Sequence, residues 1–263
     1  MKLSISNIGW TSENDLVMYE KMNSMGFEGL EIAPTRVFPE NPYDKLEEAE
    51  KWAEEIKAKY GFDVPSMQSI WYGRTEKLFG TKEEREALVD YTKKAIDFAT
   101  ATKCKNLVFG CPRNRNMPED ADYQIATDFF REIGDYAAEK GTVVGMEANP
   151  PIYNTNFIND TQSALKLIED VASDGFKLNL DMGMMIENGE DVEVLKGHEN
   201  CINHVHVSEP GLKPVVKREL HNQLAELLKA SSYKGYVSIE VGCQEDISEL
   251  DRMMKYVKEV FGE

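Results

Sequence analysis

No run of the sequence approaches about 18 consecutive apolar residues, so nothing in it reads as a membrane-spanning helix. Positive charge is in short supply. Against 47 Asp and Glu stand only 30 Lys and Arg, a formal net charge of −17. A nucleic-acid groove needs a basic face and an anionic membrane gives such a chain no electrostatic help, so both partner classes are set aside. The excess acid reads as a solvated helical surface that favours solubility. Cysteine is scarce as well. Cys104, Cys111, Cys201 and Cys243 are far apart and form no Cys-x-x-Cys pair, which argues against a disulfide framework or a zinc knuckle. No leader with a long apolar stretch opens the chain. Met1-Lys2-Leu3-Ser4-Ile5-Ser6 runs straight into a strand pattern, and a reduced, cytoplasmic setting is the expectation.

What the sequence does have is alternation. Eight short apolar runs read as strands: Leu3–Gly9, Gly29–Ala33, Val64–Ile70, Asn106–Gly110, Val143–Asn149, Phe176–Met182, Ile202–Ser208 and Tyr236–Gly242. Amphipathic stretches separate them. Leu88, Tyr91, Ala95 and Phe98 repeat at helical spacing, as do Ile247, Leu250, Met254 and Val257. Thr81-Lys82-Glu83-Glu84 reads as a capping box that opens the first of these two helices. Strands alternating with helices imply parallel pairing, and eight of them predict an α/β fold of the (β/α)₈ TIM-barrel type, one domain over residues 1–263.

The connections agree. Those entering strands are short and carry Gly26, Gly61, Gly141, Gly175 and Gly235, the residue suited to the left-handed end of a helix. Those leaving strands are longer: Pro34–Tyr43, Cys111–Asp120 and Pro150–Asn159. Long loops on one face fit a barrel with a functional C-terminal rim. An open doubly wound sheet is the alternative, but no Gly-x-Gly-x-x-Gly turn follows the first strand.

Four potential metal ligands close four consecutive predicted strands: Glu147, Asp181, His206 and Glu240. Their spacing of 34, 25 and 34 residues is one strand–helix unit each. Three carboxylates and one imidazole are a hard, oxygen-rich set that suits Mn²⁺, Mg²⁺ or Co²⁺ better than a thiolate site would. One terminal carboxylate alone would read as a helix cap or a solvated rim residue. Four on adjacent strands read as a site. Side chains two apart on a strand share a side, so Asn179 and His204 lie one layer below Asp181 and His206, placed to orient them.

Several segments carry a resemblance: Met146-Glu147-Ala148-Asn149-Pro150, Leu180-Asp181-Met182-Gly183, His204-Val205-His206-Val207-Ser208-Glu209, Ser238-Ile239-Glu240 and Gly26-Phe27-Glu28-Gly29-Leu30-Glu31. In their order and spacing the whole chain resembles the xylose isomerase-like TIM-barrel superfamily, in its sugar epimerase and sugar-phosphate isomerase branch. The resemblance implies one divalent metal ion, Mn²⁺ first and Mg²⁺, Co²⁺ or Zn²⁺ as alternatives, held by Glu147, Asp181, His206 and Glu240. It implies that Glu147 and Glu240 are the catalytic acid and base. They would move a proton on and off a carbon next to the carbonyl of a small sugar or polyol, through an enediolate. A lyase relative, a polyol dehydratase or deglycosidase, would use the same metal and base. The abasic-site endonuclease of the superfamily needs several more histidines than the four present here, and a less acidic chain. A homo-oligomer is compatible with all of this.

The chain departs from the ketose 3-epimerase pattern at three substrate-binding positions. Met184 stands where that group has His, Tyr153 where it has Glu, and Leu212 where it has Arg. The expected pocket is therefore more apolar, fitting an aromatic or glycosidic substrate better than a free ketose. Candidate substrate contacts are Trp10, Trp71, Arg113, Tyr153, Lys213 and Glu209. Trp10, Trp71 and Tyr72 would stack on a sugar ring or simply close the barrel top. Arg113 and Arg115 would clamp an anion or sit on the surface. Glu31 reads as a supporting acid or a solvated side chain, His198 and His221 as surface or packed histidines, and Met182, Met184 and Met185 as strand-end filling or an apolar pocket wall.

Overall fold

The computed structural model describes residues 1–262. Parallel strands β1 (Lys2–Ser6), β2 (Gly29–Glu31), β3 (Leu107–Phe109), β4 (Val144–Met146), β5 (Phe176–Asp181), β6 (Ile202–Val207) and β7 (Tyr236–Ile239) form one sheet in the order β2-β1-β7-β6-β5-β4-β3. The helices are α1 (Asp15–Met25), α2 (Pro34–Val37), α3 (Leu46–Tyr60), α4 (Lys82–Ala101), α5 (Gln124–Glu139), α6 (Thr161–Val171), α7 (Met182–Asn188), α8 (Glu219–Ala230) and α9 (Ser248–Phe261).

The segment predicted as the third strand, Val64–Ile70, is a correction. It pairs only through isolated bridges, Gly29 with Asp63, Ile32 with Met67, and Met67 with Leu107. Pro65 has no N–H to give a ladder, and Ser69 sits at φ 57°, where extended pairing ends. The bridges still span both sheet edges. Leu30 N donates to Asp63 O at 2.9 Å, and Val108 N donates to Met67 O at 2.8 Å. They close the sheet into the barrel.

The helices bury the stripes that the spacing predicts. Leu88, Ala95 and Phe98 of α4 and Leu250, Met254 and Val257 of α9 are all 0% exposed. The capping box on α4 is present in both directions. Thr81 Oγ1 accepts from Glu84 N at 3.2 Å, and Glu84 Oε2 accepts from Thr81 N at 2.8 Å. Gly26, Gly61 and Gly141 have φ of 77°, 76° and 74°, as expected of helix ends. Gly175 does not, because Ala172 takes the left-handed position after α6. Gly175 serves close approach instead: a Cβ there would lie 2.0 Å from Gly134 O on α5.

Candidate metal centre

Strands β4 to β7 each end within one residue of a functional side chain. Asp181 is the last residue of β5, His206 the last but one of β6, and Glu147 and Glu240 directly follow β4 and β7. Parallel register pairs Asp181 with His206 and His206 with Ser238, so neighbouring strand ends deliver their side chains at one level. One ligand atom from each of Glu147, Asp181, His206 and Glu240 lies within 4.8 Å of the others, and all four residues are buried. His206 Nδ1 faces the three carboxylates, 3.2 Å from Glu147 Oε1, 3.5 Å from Glu240 Oε2 and 3.7 Å from Asp181 Oδ2.

Neighbouring side chains hold three of these four, His206, Glu147 and Asp181. His206 Nε2 lies 2.9 Å from Glu31 Oε2, and His204 Nε2 reaches the same oxygen at 2.8 Å. Gln68 donates to the other oxygen, Oε1, at 3.0 Å. Glu31 thus favours a proton on His206 Nε2 and leaves the Nδ1 lone pair for a cation. Asn179 donates to Glu147 Oε1 at 2.8 Å. Ser208 donates to Asp181 Oδ1 at 2.6 Å, and the N–H of Met184 reaches that oxygen at 3.0 Å because Asp181 also caps α7. Gly110 leaves room for Glu147: a Cβ there would lie 2.9 Å from Glu147 Oε2.

The electrostatics call for a cation. Burial lifts the Glu240 carboxyl well above its ordinary value; His206 pulls it back, and the charges of Glu147 and Asp181 lift it again. Burial raises Glu147 too, against its contact with His206. Burial would also raise Asp181, but His206 and Ser208 hold it below its ordinary value. Burial disfavours charge on His206, yet Glu31 and Glu240 hold its pKa well above 6.5. Two like charges at about 4 Å repel by roughly 4 kcal/mol even at an effective dielectric of about 20, so three carboxylates cannot all stay ionised here on one imidazolium. Asp181 Oδ2 is buried with no hydrogen-bond partner among the described residues. An orphaned carboxylate oxygen, two carboxylates pushed toward protonation and an imidazole aimed at them fit a divalent cation held by oxygen and nitrogen.

The model of the xylose isomerase-like TIM barrel matches residues 19–260. The chain belongs to this family. Among curated relatives, the 3-dehydro-D-guloside 4-epimerase of Escherichia coli (strain K12) is 26% identical over 260 residues, covering 91% of this chain and 92% of its own. Among solved structures, a 3-keto-D-glucoside 4-epimerase from E. coli superposes with a TM-score of 0.78 at 21% identity, over 98% of this chain and 99% of its own. A D-psicose 3-epimerase gives a TM-score of 0.81 at 17% identity over 100% of both chains.

Around this xylose isomerase-like centre the expected rim residues fall into different places. Tyr153 is half-buried on the loop after β4 and reaches the loop after β6. Its hydroxyl accepts from Gly211 N at 2.8 Å, and its pKa is raised first by burial and then, against that bond, by the charges of Asp181, Glu240 and Glu147. Met184 is 6% exposed, at the start of α7 beside Asp181. Trp10 and Trp71 are 1% and 3% exposed, with their indole N–H groups given to Asp15 and Thr92 at 2.8 Å each; they pack the barrel top. Tyr72, in contrast, is 70% exposed. Arg113 and Lys213 are exposed on the loops after β3 and β6. Glu209 is buried and spent on Arg218, which donates from Nε to Oε1 at 2.8 Å and from a terminal nitrogen to Oε2, so it organises the loop after β6.

Arg115 is neither clamp nor surface residue. It is 0% exposed and donates to Glu147 O at 3.0 Å and Asn149 Oδ1 at 2.8 Å, bracing the backbone at Glu147. Burial brings its pKa down to about 10. No local pattern marks this role, because the partners are carbonyls from another loop. His221 is packed under Tyr256, whose hydroxyl lies 2.9 Å from its Nδ1.

Proposed function

We propose that this chain is a divalent-metal-dependent epimerase of an oxidised sugar carried as a glycoside. It would move a proton on and off the carbon next to the carbonyl. The observation that carries the reading is the four-residue cluster with a glutamate at each end. Glu147 and Glu240 follow β4 and β7, and Asp181 and His206, on β5 and β6, stand between them. A proton can therefore leave from one side of a bound carbon and return from the other.

Glu147, Asp181, His206 and Glu240 would hold the cation, with Mn²⁺ the first choice for this donor set. When bound, it supplies charge stabilisation for a carbonyl oxygen and so acidifies the neighbouring C–H. Burial, acting on both glutamates, brings their pKa upward toward the range where a carboxylate takes a proton and gives it back. Asn179 holds Glu147 Oε1, leaving Oε2 for the substrate side, where Asn149 Nδ2 lies at 3.4 Å. Arg115 and Gly110 set the height of Glu147 in the mouth.

The side chains at the three departing positions support the substrate class. Met184 and Leu212 cannot satisfy free hydroxyls, and an unpaired buried polar group costs about 1–3 kcal/mol. Tyr72 and Ile152, exposed on loops that follow strand ends, and the half-buried Tyr153 would offer apolar surface to the aglycone of a glycoside. The E. coli relative, named as a guloside 4-epimerase, supports the same reading. The test is a comparison of substrates with Mn²⁺ present. A 3-keto-hexopyranoside should be epimerised beside its carbonyl, with free fructose, tagatose and psicose at least about 100-fold slower in kcat/KM. Efficient turnover of the free ketoses, near the common enzyme floor of about 10⁴ M⁻¹s⁻¹, would contradict it. An unsaturated product would show a lyase instead.

A further inference from the structure

The end of the barrel opposite the metal centre holds a second cavity of about 650 Å³. Five lysines line it, Lys2, Lys57, Lys103, Lys105 and Lys234, against two carboxylates, Glu54 and Asp63. That is a local reversal of sign in a chain whose net charge is −17. Asp63 is already engaged by Lys57 at 2.7 Å, by Lys2 at 3.6 Å and by the Tyr236 hydroxyl at 2.7 Å, and Glu54 by Lys103 at 3.4 Å; Lys2 also lies over the Tyr236 ring, 5.2 Å from its centre. Lys234 has no hydrogen-bond or ion-pair partner among the described residues, and Lys105 meets only the carbonyl of Gly141 at 3.0 Å. Two cations are thus left for a ligand.

The walls are apolar: Ala53, Ala58, Val64, Pro65 and the ring of Tyr236. Small residues fill the barrel above the cavity. Lys2 and Tyr236 line it, and two residues further along the same strands come Ser4 and Ser238, paired with each other in the β1–β7 register. Gly29 pairs with Ser4, and a Cβ on it would lie 2.7 Å from the Tyr236 ring and 2.9 Å from Pro65. A barrel layer is ordinarily filled by bulky branched residues. Here two serines and a glycine take that place, and the hydroxyls of Ser4 and Ser238 are fully buried without partners. His204, from the layer that supports the metal centre, reaches the cavity wall.

The geometry points to a second ligand site at this end of the barrel, for a small anion with a flat apolar body, such as a nucleoside monophosphate. The anionic group would meet Lys105 and Lys234 at the rim, and the ring would lie on the Tyr236 side of the wall. Isothermal titration calorimetry of the intact chain with AMP, adenosine and inorganic phosphate, each alone at low salt, tests it. AMP should bind at least tenfold more tightly than adenosine or phosphate. The Lys105→Glu/Lys234→Glu double variant should weaken AMP at least tenfold while leaving the melting temperature and Mn²⁺ binding unchanged. Either of two results would overturn the site: AMP binding no tighter than phosphate, or AMP binding that survives the double variant, which would place it elsewhere, at the catalytic mouth for instance.

Discussion

Glu31 accepts from His204 and His206 through one oxygen, and Gln68 holds the other. Burial alone would keep this carboxyl protonated, but the two imidazoles hold it ionised, below its ordinary range. Replacing Glu31 with Gln removes the charge that fixes the His206 tautomer. Mn²⁺ affinity should fall by about 10–100-fold in a calorimetric titration, and an unchanged affinity would show that the orientation of His206 does not depend on it. Gly110→Ala is a steric counterpart. Its Cβ would press on Glu147 Oε2 from 2.9 Å, so Mn²⁺ affinity should drop about tenfold with little change in thermal stability. At this scale the clustering of Glu147, Asp181, His206 and Glu240 was legible because each closes an apolar run at one strand–helix interval. Asn179 and His204 followed from the two-residue period of a strand. Arg115 and the loss of Glu209 to Arg218 were not legible, because a buried arginine bound to carbonyls of another loop, and an ion pair nine residues apart across a loop, leave no periodic mark.

Among elements, α4 is the clearest case of sequence dictating structure. Its N-terminal box satisfies two orphan N–H groups reciprocally. Thr81→Ala should cost about 1 kcal/mol, which in a chain of this size lowers the melting temperature by about 2–4 °C, with Mn²⁺ binding untouched. No change in melting temperature would mean that the helix start is held by packing alone. The strand predictions were right in place and long at their C-terminal ends. Residues such as Glu147 and Glu240 leave the ladder to point into the mouth, and alternation of apolar residues cannot show where pairing stops. The weak third strand has a sequence cause, Pro65, but its bridging role depends on both sheet edges and emerges only in the closed barrel.

For the whole molecule, acidity and the metal centre are linked through pH. His206 has its folded pKa raised above the ordinary 6.5, so its contribution to stability is full below that value and fades as pH rises through the folded one. Glu240 and Glu147, also raised, act in the same direction. His204 and His221 are lowered, and Asp181 and Glu31 are lowered, so from about pH 7.5 upward none of these four opposes the trend. The metal-free protein should therefore lose thermal stability between about pH 7.5 and 9. Mn²⁺, which displaces these protons, should raise the melting temperature more at the upper end than at the lower. A melting temperature that rises with pH without metal would contradict the assignment of His206. Among the described residues no helix is long and apolar enough to cross a membrane, consistent with the sequence reading.

Under the proposed function, Glu147 and Glu240 pass a proton to and from carbon at the four-residue centre. Solvent deuterium exchange reads it directly, with a 3-keto-hexopyranoside in D₂O, Mn²⁺ present, and the position beside the carbonyl followed by NMR. The native protein should incorporate deuterium there as the epimer forms. Glu240→Gln, folded to the same melting temperature, should exchange about 10²–10⁴-fold more slowly. Exchange at the native rate in Glu240→Gln, or epimer formed in D₂O with no deuterium at that carbon, would show that these carboxylates do not carry the proton.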